Sequence, residues 1–310
     1  MFKPVLFVRD LELFKQITST DHDVFNMHSE IFPPELDPLW SKNFTDRNEW
    51  RNVKTSLTPL FTSHKVKTSF AVIKQFTRNL VNFLMEQVEG ERNVMEIREI
   101  CKRLLCDITT TYIFGVNCDA INNPDSEMYS MAEKSMTFKA ARGLVAEFFP
   151  KLLKWKGTKM YSEDVRQFFA SITRQSIKMH LENNLNSSTV INMLLERYKI
   201  EKSRIDDLDG IVLEDIMAHA LILVFSGYET VNNTLAALIY ELTMHADVQK
   251  QLYEEIVKTV NDHDVSYDDI ISIGYLDHVV NETIRLHSTN AIIDRRTMKN
   301  YVIKAENPDE

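Results

Sequence analysis

The chain is expected to fold as a mainly α-helical body, and three features of the sequence carry that expectation. It holds only 7 glycines in 310 residues, too little punctuation for an all-β fold. Its hydrophobic content of 44%, with 10% aromatic residues, is enough for a large core. Apolar side chains recur at helical spacing, as in Leu276, Val279, Val280 and Ile284.

From the start of the chain, Phe2-Lys3-Pro4-Val5-Leu6-Phe7-Val8-Arg9 reads as a strand, and Asp10 can cap a helix over Leu11 to Ile17. Asp46 can cap a second helix with Glu49 reaching back, which places Trp50 and Lys54 one turn apart on one face. Two readings of that pair stand: a packed tryptophan beside a solvated lysine, or an indole N–H and an ammonium aimed at a carboxylate or phosphate. Phe148-Phe149-Pro150-Lys151-Leu152-Leu153-Lys154-Trp155-Lys156 interleaves aromatics with lysines. It is either a lid helix with snorkelling lysines or a segment resting in a membrane interface. The polar stretch Asn183 to Thr189 reads as a loop ahead of a helix containing Met193, Leu194 and Leu195.

The centre of a long apolar helix carries Ser226-Gly227-Tyr228-Glu229-Thr230. A glycine there costs roughly 1 kcal/mol against alanine, and polar side chains without partners cost more. One reading has Ser226 and Thr230 bonding back to carbonyls one turn earlier, with Gly227 admitting a neighbouring helix. The other has Gly227 opening bare backbone to a flat cofactor while Glu229 and Thr230 deliver protons beside it. Ser226, Gly227 and Thr230 share a face, which suits either. Further on, Asn281-Glu282-Thr283-Ile284-Arg285 sets Glu282 and Arg285 one turn apart, a pairing that in isolation is common on solvated faces.

Several function classes are disfavoured. A net charge of −9 argues against a broad nucleic-acid surface. The three cysteines lack Cys-x-x-Cys spacing and the nine histidines are scattered, so a zinc site is not supported. Cys101, Cys106 and Cys118 read as small buried hydrophobes, and their usage suits a reducing compartment. The longest apolar stretch, Ile216 to Phe225, is interrupted by His219 and is too short to span a bilayer; the start of the chain lacks a signal-sequence pattern.

In their order, the Trp50/Lys54 helix, Gly227-Tyr228-Glu229-Thr230 and Glu282-x-x-Arg285 resemble the cytochrome P-450 superfamily of haem-thiolate monooxygenases. Less specific matches run through Asp37-Pro38-Leu39-Trp40-Ser41-Lys42-Asn43-Phe44, Leu60-Phe61-Thr62-Ser63-His64-Lys65 and Cys106-Asp107-Ile108-Thr109-Thr110-Thr111-Tyr112-Ile113-Phe114-Gly115. Glu182-Asn183-Asn184, Tyr240-Glu241-Leu242 and Asp247-Val248-Gln249 give the insect microsomal flavour associated with detoxification.

The resemblance implies a multi-helix haem-monooxygenase fold with a small partial β-sheet, residues 1–310 forming a single incomplete domain. It implies haem as cofactor, a small hydrophobic substrate, an NADPH-dependent reductase meeting the face with Arg47, Arg51 and Lys54, and a membrane surface. No nucleic acid is implied. Thr230, Glu229 and Gly227 would serve the oxygen-activating groove, and Trp50, Lys54 and Arg295 would bind haem propionates. Glu282 and Arg285 would be the family's structural ion pair.

The sequence departs from the family in four places. Ser226 replaces an alanine, Lys54 an arginine, and Leu286-His287-Ser288-Thr289 lacks the usual Pro-Pro. The axial cysteine loop, Phe-x-x-Gly-x-Arg-x-Cys-x-Gly, is absent, so the iron ligand would lie beyond residue 310 and the chain alone would be inactive. The full-length protein would sit on the cytoplasmic face of the endoplasmic reticulum membrane, with no anchor in this chain. The alternative is a non-catalytic helical binding protein that keeps the apolar cavity without haem. The least favoured reading is a helical scaffold whose motif matches are accidental.

Overall fold

A computed structural model describes residues 4–27, 37, 39, 55, 57–90, 94–136, 155, 159, 161–183, 189–198, 210–260, 264–290, 292–297 and 299–303. The chain divides into two compact units. The first comprises Met1–Asn52, Phe138–Met160 and Ile292–Glu310, and the second Val53–Thr137 and Tyr161–Ala291.

In the first unit, extended Asp10 accepts from the Leu13 amide at 2.7 Å and starts α1 (Leu11–Lys15). The α-helix stops two residues short of the expected Ile17 and passes into a π-helical turn over Gln16–Thr20. Tyr301 closes on this corner. Its hydroxyl donates to Asp21, Gln16 Nε2 donates to it at 2.8 Å, and its ring stands edge-on to Phe25 with centroids 4.7 Å apart. The Tyr301 hydroxyl, followed by Gln16, holds the Asp21 carboxyl below its ordinary pKa.

The small sheet is reduced, among the described residues, to an antiparallel bridge in which the Arg296 amide donates to the Met27 carbonyl at 2.8 Å. Residues 4–9, expected as part of a strand, form none, and neither do residues 301–303. Val5, Leu6 and Phe7 are exposed, so nothing described here buries the apolar side of a strand or takes up its amides.

The second unit is helical. It contains α2 (Ser63–Glu89), α3 (Ile97–Phe114), α4 (Glu127–Met136), α5 (Glu163–Asn183), α6 (Val190–Tyr198), α7 (Gly210–Met244), α8 (Ala246–Val260), α9 (Tyr267–Ser272) and α10 (Gly274–Leu286). The helix expected around Met193 is therefore present as α6. Local chemistry sets the ends. Glu96 caps α3, Gly115 ends it in the left-handed region at φ 73°, and Ser266 and Asp269 form a reciprocal capping box on α9.

The 35-residue α7 is about 50 Å long and packs most extensively on α3, then on α5 and α10. Phe76, Leu104 and Ile121 form a core cluster with Val72, Leu80, Phe83 and Ile108 against it. Charge pairs join α2 to α9 and the segment leading into it: Lys67 to Asp268 at 2.5 Å, and Lys74 and Arg78 to Asp264 at 2.6 Å each. Lys74 in turn keeps the Asp264 carboxyl below its ordinary pKa. Among the described residues no helix is long and apolar enough to cross a membrane.

Candidate functional site

The helix α7 has two chemically distinct sides. A helix turns about 100° per residue, so Leu221, Val224, Tyr228 and Asn232 align on one side, and all four are buried. Ser226, Thr230, Asn233 and Ala237 align on the opposite side, where Ser226 is exposed and the others are half-buried. Gly227 and Glu229 flank this second side and are half-buried as well.

The back-bonding reading holds for Thr230, whose hydroxyl donates to the Ser226 carbonyl at 2.5 Å and thereby keeps its lone pairs as acceptors. The helix-approach reading holds for Gly227. A Cβ there would lie 3.3 Å from Thr109 Cγ2 on α3, and Thr109 is pinned by its own 2.6 Å bond to the Leu105 carbonyl.

The Thr230 side of α7 runs on into a cleft of about 470 Å³ lined by Asn233 and Tyr240, by Arg98 of α3, and by His287 and Thr289 after α10. Arg98 donates to Asn233 Oδ1 at 2.6 Å. Glu241 faces two imidazoles, His287 at 2.6 Å and His245 at 3.5 Å.

On α10, Arg285 grips Glu282 with two bonds of 2.7 Å each from Nε and Nη2, and its side chain is 66% exposed. The guanidinium holds the Glu282 carboxyl below its ordinary pKa, and Glu282 raises that of Arg285. Leu276 and Val280 are half-buried, whereas Ile284 and Leu286 are exposed.

Gly227, Glu229 and Thr230 thus stand together on α7 in the second unit, as do Glu282 and Arg285 on α10. Arg295 belongs to the first unit, half-buried, with Nη1 donating to the Asp294 carbonyl at 2.8 Å. Trp50 and Lys54 lie outside the described residues, as do Asp46, Arg47, Glu49 and Arg51. So does the Phe148–Lys156 segment apart from Trp155, which is 81% exposed.

Sequence reasoning missed a part-buried polar network around Tyr228 and Tyr129. Tyr228 donates to Glu133 at 2.5 Å, Lys102 meets Glu133 at 2.9 Å, and Tyr129 donates to Glu99, which also holds Arg103 at 3.2 Å. Burial is the main cause that pushes the Tyr228 and Tyr129 hydroxyls above their ordinary pKa, so both stay neutral donors. The signal was available in part: Tyr228 falls seven residues after Leu221 and four after Val224, on the buried side.

The groove and the cysteines answer differently when tested against haem. A helix side combining Ala237 with the hydroxyls of Ser226 and Thr230, and with Ala236 lining the same cleft, gives a flat group small residues to approach and acceptors beside it. The thiols do not fit an iron ligand. Cys101 and Cys106 are buried within α3, and Cys118 donates to the buried Asp107 carboxylate at 2.9 Å.

A family model described as Cytochrome P450 matches residues 1–305. The chain is 28% identical to Cytochrome P450 6a2 of Drosophila melanogaster, over 98% of this chain and 62% of that protein. It is 30% identical to Probable cytochrome P450 6a23 of the same fly, over 95% of this chain and 60% of that protein. It is also 30% identical to Cytochrome P450 3A15 of Cavia porcellus, over 97% and 61% respectively. The chain therefore spans about three-fifths of the length of these relatives.

Proposed function

The chain belongs to the cytochrome P450 family, a haem-binding family, and we propose that the whole protein is a haem-thiolate monooxygenase inserting one atom of O2 into a small hydrophobic substrate. Electrons come from an NADPH-dependent reductase, and the protein works at the cytoplasmic face of the endoplasmic reticulum membrane. Residues 1–310 are part of one such domain. The observation that carries the proposal is the division of α7 into a buried core side and a half-exposed side of small and hydroxylated residues that opens into a cleft.

Bound haem supplies O2 activation and oxygen transfer. The chain's own residues do the rest. With its proton committed to the Ser226 carbonyl, the Thr230 oxygen accepts a hydrogen bond from a water or hydroxyl in the groove and orients it. Glu229, half-buried, passes protons between solvent and that groove. Gly227, at the flank of the groove, lets α3 and α7 come close. By the family resemblance, Trp50, Lys54 and Arg295 would hold the propionates. Arg285 spends two of its five donors on Glu282, and the other three would serve the region that bears the thiolate ligand.

Because Cys101, Cys106 and Cys118 do not fit that ligand, the 310-residue chain is inactive by itself. The test joins it to the C-terminal part of a relative and follows reductase-dependent oxygenation of a hydrophobic probe. Thr230→Ala lowers turnover by about 10²-fold with haem retained; an unchanged rate overturns the assignment. A folded fusion that takes up no haem in titration favours the non-catalytic binding protein instead.

A further inference from the structure

The cysteines that do not fit an iron ligand carry a different chemistry. The thiols of Cys106 and Cys118, twelve residues apart in sequence, lie 3.6 Å from each other. Their environments differ. Cys106 is fully buried on α3, whereas Cys118 is half-buried in the loop after α3, between exposed Asn117 and Asp119.

The Cys118 thiol donates to Asp107 Oδ1 at 2.9 Å, and that carboxyl is itself buried and also accepts from the Ala120 and Ile121 amides at 2.7 and 3.2 Å. The loop is thus pinned with one sulfur facing another and a proton acceptor beside it. A disulfide needs its sulfurs about 2.0 Å apart, so thiols already in contact approach bonding distance by side-chain rotation together with small movement of a loop.

We propose that Cys106 and Cys118 form a reversible thiol–disulfide modification site, oxidised by peroxide through Cys118. The accessible thiol reacts first: Cys118–SH and H2O2 give Cys118–SOH and water, the thiol proton passing to Asp107 and on to the departing hydroxide. Cys106–SH then condenses with the sulfenic acid; its sulfur bonds to Cys118 sulfur and its proton leaves with the sulfenic hydroxyl as a second water. Two thiols are oxidised by two electrons and one peroxide is reduced. The contact with Cys118 and burial push the Cys106 thiol above its ordinary pKa, in keeping with its role as the second, shielded partner. Cys101, buried elsewhere on α3, stays a thiol.

The test treats the 310-residue chain with hydrogen peroxide and reads intact mass and non-reduced peptide maps. The expected result is the loss of two hydrogen atoms, a Cys106–Cys118 linkage, a free Cys101, and full reversal by dithiothreitol. Cys118→Ser loses the linkage. Cys106→Ala, treated with peroxide and dimedone, carries the adduct on Cys118; should that variant fail to fold, Cys118→Ser decides the matter from a loop position. A linkage that includes Cys101, peroxide resistance of both thiols, or accumulation of sulfinic acid on wild-type Cys118 without a linkage overturns the proposal.

Discussion

Asp107 is the residue on which the loop after α3 depends. Its carboxylate takes donors from Cys118, Ala120 and Ile121 while only 1% exposed. Asp107→Asn keeps the shape but presents an NH2 group to one of these donors, so it destabilises the protein by about 1–3 kcal/mol in denaturant unfolding. Burial is the chief cause that raises the Asp107 pKa, above the value an unfolded chain gives it. Its favourable contribution is therefore fully present below the ordinary carboxylate range and declines as pH rises through the raised value. The penalty of Asp107→Asn is accordingly larger in acid than near neutrality, and a pH-independent penalty contradicts this account. The sequence showed Asp107 only as one letter of a family-like segment. Its role depends on a chain reversal at Gly115 that brings residues 118–121 back over α3, which neither periodicity nor spacing reveals.

At the scale of elements, two glycines make opposite demands. Gly115 holds φ 73°, and a Cβ there meets His180 and Thr189 only at ordinary contact distance, 3.5 Å each. Gly115→Ala therefore costs about 1–2 kcal/mol from backbone strain alone. Gly227 is helical, so alanine gains about 1 kcal/mol of propensity and loses a similar amount against pinned Thr109. Gly227→Ala leaves the unfolding midpoint nearly unchanged, and a large loss would show that α3 and α7 cannot give way.

Arg285→Ala likewise leaves the midpoint within the scatter of replicates, because the fork is exposed and, among the described residues, bonded to its neighbour Glu282 alone. A marked loss would place a further partner of Arg285 within this chain. Helices and caps were legible because their determinants are local: Asp10 caps α1, and α6 and α10 match their apolar spacing. The strands were not, because a strand exists only with a partner that the sequence does not name. The length of α1 was also missed, since the π turn over Gln16–Thr20 is fixed by Tyr301 arriving from the far end of the chain.

For the whole molecule, the family was legible in the order of motifs rather than in any one of them. Gly227, Glu229 and Thr230 come together because one helix carries them; Trp50, Lys54 and Arg295 would have to be brought there by tertiary structure. As proposed, this chain supplies the groove beside a haem and no thiolate of its own. The most direct measurement is the carbon monoxide difference spectrum of reduced, haem-loaded protein, taken for the 310-residue chain and for its fusion to the C-terminal part of a relative. The expected result is the red-shifted Soret band of a thiolate-ligated haem in the fusion and its absence from the chain alone. That band at stoichiometric occupancy in the chain alone, or its absence from a folded, haem-loaded fusion, would contradict the account.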